Sequence, residues 1–126
     1  MKTISALLML LVVSCAPVVS QDKTSVSKAT QLIAAESELQ VLDVRRPDEY
    51  KAGHLKGSTL VTWGEKDFEK QALAKLSKDK PVLVYCRSGR RSTAASEALA
   101  KLGFSKIHNL EGGITAWQKA GKEVTK

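Results

Sequence analysis

The stretch "PVLVYC", from Pro81 to Cys86, allows few folds. Val82 to Cys86 is an unbroken apolar or aromatic run, with β-branched valines at alternate positions. It is too short for a buried helix and reads as a strand covered on both faces. Directly behind it the period changes. Over residues 88–102, Ala94, Ala95, Ala98, Leu99 and Leu102 recur at helical spacing, and Gly103 ends the segment. A doubly covered strand that passes straight into an amphipathic helix calls for a parallel sheet between helical layers.

The remainder of the chain repeats this alternation. Ser27 is placed to cap a helix through Ser37, with Val26, Ala29, Leu32 and Ile33 on one face. "QVLDV", ending at Val44, reads as a second buried strand. Pro47 opens a short helix that stops at Gly53. "STLVTW" reads as a strand over residues 58–63. Residues 65–76 read as a helix with Phe68, Ala72, Leu73 and Leu76 on one side. "KIHNL" supplies a last strand, and Gly112-Gly113 turns the chain into a closing helix that ends by Gly121. Residues 21–25 are polar and read as a short tether, so the folded domain is expected over residues 26–126. The expected fold class is α/β, one domain without internal repeats.

Residues 1–20 stand apart. Lys2 precedes a nearly continuous apolar run from Ile4 to Val13, the length of a signal-peptide core and too short to span a bilayer. Cleavage after Ser20 gives a mature start at Gln21. Alternatively, "VVSC" resembles the lipobox of bacterial lipoproteins and makes Cys15 a lipidation candidate, the reading favoured here. The expectation is an exported, periplasmic protein, with Cys15 as its membrane tether if lipidated by several chains. Either cut leaves Cys86 as the one unmodified cysteine, with no disulfide partner in the chain. The net charge of +7 suits anionic partners. Aromatic residues make up only 5%, and no finger, base-stacking or basic-helix motif accompanies the charge, so nucleic acid is not an expected partner. His54 and His108 lie far apart and form no ligand cluster with Cys86, so neither a metal nor a cofactor is expected. A monomer is expected.

In open parallel sheets, ligands bind beyond the carboxyl ends of the strands. Cys86 ends the most apolar strand and is followed by Arg87, Ser88, Gly89, Arg90 and Arg91. If α-helix begins near Arg90, the backbone N–H groups of this loop form a nest around the sulfur, with Gly89 supplying the unusual backbone angles. The helix N-terminus and the arginines add positive potential, which favours thiolate over thiol. Buried free cysteine is often inert. Three arginines, however, are poor neighbours for a purely apolar site, so a reactive nucleophile is the better reading.

The loop "CRSGRR" resembles the active-site loop of the rhodaneses, the thiosulfate sulfurtransferases. "LDVRRPDEYKAGHLKGS" and "LEGGITAW" match the same family pattern in order. The resemblance implies a small rhodanese-like domain with a sheet of about five parallel strands. It also implies a sulfur relay: Cys86 takes the outer sulfur of a small anionic donor such as thiosulfate and passes it to a thiol or cyanide. In that relay Ser88 and Gly89 cradle the anionic sulfurs, and Arg87, Arg90 and Arg91 are the anion-binding candidates, with Arg87 and Arg91 favoured by position. Asp43 and Arg45, two apart on one strand end, are expected to form a structural ion pair, with His54 as a scaffold residue. Glu49 and Tyr50 are expected to cap and pack the short helix. Related phosphatase loops place an arginine one residue later, where this chain has Ser92, so sulfur chemistry is favoured. A persulfide carrier that feeds a partner protein is the alternative from another class. A mercaptopyruvate-specific enzyme is disfavoured by the arginine-rich loop.

Overall fold

The computed structural model describes residues 21–126. The leader read over residues 1–20, with Cys15 and the cut after Ser20, lies outside the described residues. Strands β1 (Asp22–Thr24), β2 (Gln40–Asp43), β3 (Thr59–Leu60), β4 (Val82–Tyr85) and β5 (Ile107–Leu110) form one sheet in the order β1-β5-β4-β2-β3. Every pairing is parallel. Helices α1 (Val26–Ala35), α2 (Pro47–Ala52), α3 (Phe68–Lys75), α4 (Arg90–Leu102) and α5 (Gly113–Lys119) supply the connections and the covering layers. The expected α/β architecture with five parallel strands is the one the chain adopts.

Alternation along β4 divides the core. Val82, Val84 and Cys86 point to one face and pack with Leu42, Val44, Phe68, Ala72, Ala95 and Leu99 beneath α3 and α4. Leu83 and Tyr85 point to the other, with Ala29, Leu110, Ile114 and Trp117 beneath α1 and α5. The period of two therefore places the Cys86 sulfur against α4 rather than α5.

Four expectations are corrected. Residues 21–25 are not a tether: they carry β1, the fifth strand, paired with β5 alone. An edge strand needs no double-sided apolar run, and of Asp22, Lys23 and Thr24 only Thr24 is buried. The cap of α1 is Ser25, which accepts the Lys28 N–H at 3.1 Å, in place of Ser27. β3 is shorter than residues 58–63, because beyond Leu60 the chain follows β2 by single bonds: the N–H groups of Val61 and Trp63 donate to the carbonyls of Asp43 and Val44. The apolar faces are also narrower than their spacing suggests, since Ile33 is 42% and Leu73 44% exposed.

Candidate active site

β4 delivers Cys86 at its carboxyl end with the residue only 1% exposed. The backbone then turns through Gly89, whose φ of +111° is a conformation that side-chain-bearing residues avoid, and α4 begins at Arg90. The Gly89 N–H donates to the sulfur at 3.0 Å. Ser92, wholly buried in the first turn of α4, holds its Oγ 3.4 Å from Sγ and donates to the Gly89 carbonyl at 3.1 Å. The thiol donates to Ser92 Oγ; once the thiol ionises, the rotatable serine hydroxyl can reverse this bond. Burial pushes the Cys86 thiol up, but hydrogen bonds from the Ser92 hydroxyl and from the N–H groups of Ser92, Gly89 and Ser88 outweigh it. The thiol is held below its ordinary value, so the thiolate is favoured.

The loop is braced from behind by α5. The N–H groups of Ile114 and Thr115 donate to the carbonyls of Cys86 and Arg87 at 2.9 and 3.1 Å. In a trans peptide the N–H points opposite its carbonyl. Anchoring the Arg87 carbonyl to α5 therefore turns the Ser88 N–H away from α5, toward the sulfur. Gly113, at φ +58°, lies so close beneath the loop that a Cβ there would collide with both carbonyl oxygens.

The arginines take different positions. Arg87 is exposed and has no acidic partner among the described residues. It borders a cleft of about 410 Å³ together with Arg45, Glu49, Ala52, Ile114, Thr115 and Gln118. Arg90 is exposed and does not line that cleft. Arg91 reaches across to α2 and forms a two-pronged pair with Glu49, at 2.7 and 2.9 Å. Those bonds, reinforced by the Arg46 N–H, bring the Glu49 carboxyl down to about 2 against the opposing effect of burial. Arg87 and Arg91, alike in the loop sequence, are thus unlike in the fold: one is free and the other is paired.

Asp43 and Arg45 form the expected ion pair at 2.7 Å, almost completely buried. Arg45 also donates to the Gly53 carbonyl at 2.7 Å, tying β2 to the end of α2. Tyr85 joins them: its hydroxyl donates to Asp43 at 2.6 Å and accepts the Leu55 N–H at 3.0 Å. Burial and the neighbouring carboxylate push the Tyr85 hydroxyl up, so it stays a donor. His54 stacks on Tyr50, with ring centroids 3.8 Å apart, and its backbone pairs with Thr125. No group of His, Cys, Asp and Glu able to hold a metal occurs among the described residues.

Three contributors escape the sequence reading. Ser92 enters it only as the residue that stands where a phosphatase arginine would be. Tyr85 is hidden in an apolar run, although a buried phenol requires a partner and that requirement is a usable signal. The Glu49–Arg91 pair joins residues distant in sequence, with no local pattern to reveal it.

A family profile described as rhodanese-like domain matches residues 25–120. The YqhL protein of Bacillus subtilis is 37% identical over 78 residues, which cover 62% of this chain and 60% of that protein. The chain thus spans less than two thirds of the length of that relative. The thiosulfate sulfurtransferase GlpE of Pseudoalteromonas translucida is 29% identical over 106 residues, covering 79% of this chain and 90% of the relative. Among solved structures, a rhodanese-related protein from Thermoplasma volcanium superimposes with a TM-score of 0.71 at 32% identity, covering 82% of this chain and 97% of the other.

Proposed function

Because the chain belongs to the family of rhodanese-like domains, we propose that it is a sulfurtransferase working through a persulfide on Cys86, with thiosulfate or a similar anion as donor. The observation that carries this reading is the Cys86 sulfur itself, buried at the end of β4 yet surrounded by donors from Gly89, Ser92 and Ser88. Such donors suit an anionic sulfur, before the reaction and after it.

In the first half-reaction the Cys86 thiolate attacks the outer sulfur of thiosulfate. A new S–S bond forms to Cys86, the S–S bond of thiosulfate breaks, and sulfite leaves with its electron pair. Charge balances, since a thiolate and a dianion become an anionic persulfide and a dianion. In the second half-reaction a thiolate or cyanide attacks the terminal sulfur, and Cys86 leaves as thiolate. This is covalent, two-step catalysis. No proton needs to be removed from the nucleophile at the moment of attack, so the site requires no general base. Arg87, free at the cleft, is the residue assigned to the incoming anion. Export to the periplasm, with Cys15 as a lipid anchor, belongs to the same proposal; the mass of the mature N-terminus tests it.

The test pairs two measurements on the protein and its Cys86→Ala variant: thiocyanate formation from thiosulfate and cyanide, and mass spectrometry for one added sulfur atom after thiosulfate alone. Transfer and the added sulfur are expected only with Cys86 present. Undiminished transfer in the variant would remove Cys86 from the mechanism. Persulfide formation without transfer to small acceptors would turn the reading to a carrier that feeds a partner protein.

A further inference from the structure

Arg45 and Arg87 border the cleft beside the Cys86 loop and Arg91 is bonded to Glu49 at its edge; two of these three guanidinium groups are occupied. The fork of Arg45 is taken by Asp43 and the Gly53 carbonyl. The Arg91 guanidinium meets Glu49 at the edge of the cleft, within electrostatic reach of Cys86. Its fork is bound at both prongs by Glu49. Glu49 lines the same cleft as Arg87, so its carboxylate stands on the path of any anion that approaches between α2 and α5.

We propose that Glu49 is a specificity-determining residue: by pairing with Arg91 it withdraws one cation from the mouth of the site and leaves Arg87 as the free guanidinium there. The consequence is a site that favours dianionic donors less strongly than its arginines alone would, while Arg87 remains to receive them. The pair is only partly buried, with 32% of the Arg91 side chain and 23% of Glu49 exposed, so the two groups can separate without leaving either charge unsolvated. Glu49 also accepts the Arg46 N–H at 3.3 Å at the start of α2. Glutamine in its place keeps an acceptor for that N–H and removes the charge, which separates the electrostatic role from the structural one.

The inference takes its substrates from the sulfur-transfer reading, but its decisive test does not need them. Cys86 in the intact chain is alkylated with neutral iodoacetamide and with anionic iodoacetate, and the ratio of the two rates is measured in the unaltered protein, Glu49→Gln, Arg91→Gln and the double variant. Glu49→Gln is expected to raise the iodoacetate-to-iodoacetamide ratio roughly 3- to 10-fold, as one screened unit charge near the sulfur requires. Arg91→Gln is expected to lower the ratio, and the double variant to restore it to within about twofold of the unaltered protein. A purely structural role for Glu49 does not give opposite signs in the two single variants. In parallel, kcat/KM for thiosulfate should rise in Glu49→Gln by at least the factor seen for iodoacetate. An unchanged or lowered ratio in Glu49→Gln overturns the inference and leaves the sulfur-transfer reading standing. Absence of thiosulfate turnover in the unaltered protein overturns that reading and leaves the ratio test decisive.

Discussion

Ser92→Ala isolates one hydrogen bond in the cradle. The hydroxyl is completely buried, 3.4 Å from Sγ, and bonded to the Gly89 carbonyl. Alanine removes one oxygen and leaves the α4 backbone free to keep its geometry. A hydrogen bond to a charged group contributes about 1.5–3 kcal/mol, and the length of this one argues for the lower end. Every 1.4 kcal/mol is a factor of ten in an equilibrium. At a pH below the thiol's midpoint, the thiolate fraction should therefore fall about tenfold. The assay is the rate of Cys86 alkylation by iodoacetamide as a function of pH, a neutral reagent that does not depend on the arginines. In the unaltered protein the rate should rise with pH through a midpoint below the ordinary thiol range, because the folded site favours the charged form. In Ser92→Ala the whole profile should move to higher pH and keep the same plateau. Thermal denaturation at one pH checks that the fold survives. An unmoved profile in a folded variant would refute the reasoning, and the backbone N–H groups would then account for the shift without Ser92.

Two further outcomes follow from the geometry. Gly113→Ala should destabilise the domain and also move the alkylation profile toward that of an ordinary thiol, since a Cβ there meets the loop carbonyls. Gly121→Ala is the reference: its φ of +78° carries a similar backbone cost of about 1–2 kcal/mol, with no atom near the added Cβ. Equal urea-denaturation losses and unmoved profiles in both would show that the close approach at Gly113 is unimportant. Tyr85→Phe should cost about 2–4 kcal/mol in urea denaturation, because it strands the buried Leu55 N–H and takes a donor from Asp43; a loss under about 0.5 kcal/mol would contradict this.

What the sequence made legible, and what it hid, follows from how each feature is encoded. The central strand β4 and helix α4 write their partners into local periodicity, so the layers, the parallel sheet and the position of Cys86 could all be read. Asp43 and Arg45 could be paired because alternation puts strand residues two apart on the same side. β1 escaped because an edge strand of three residues needs only one inward side chain, Thr24, and looks like any polar linker. The distinction between Arg87 and Arg91 escaped for a different reason. It depends on Glu49, brought to the loop by the approach of α2 to α4, which no pattern along either segment expresses. Loop composition therefore indicated that cations stand near the thiol, whereas the tertiary fold decided which of them is available.

The bracing of the Cys86 loop by α5 bears on the order in which the molecule is made. The nucleophile and its following arginines leave the ribosome before the residues that hold their carbonyls in place. Until Ile114 and Thr115 have emerged and docked, the carbonyls of Cys86 and Arg87 lack the N–H groups that anchor them, and the first peptides of the loop lack that restraint. A nascent chain cut off after α4 would carry the complete signature loop, with its Gly89 and Ser92 donors, but not the brace that holds the carbonyls of Cys86 and Arg87. The loop is thus completed late in synthesis, by a segment outside it that bonds its carbonyls.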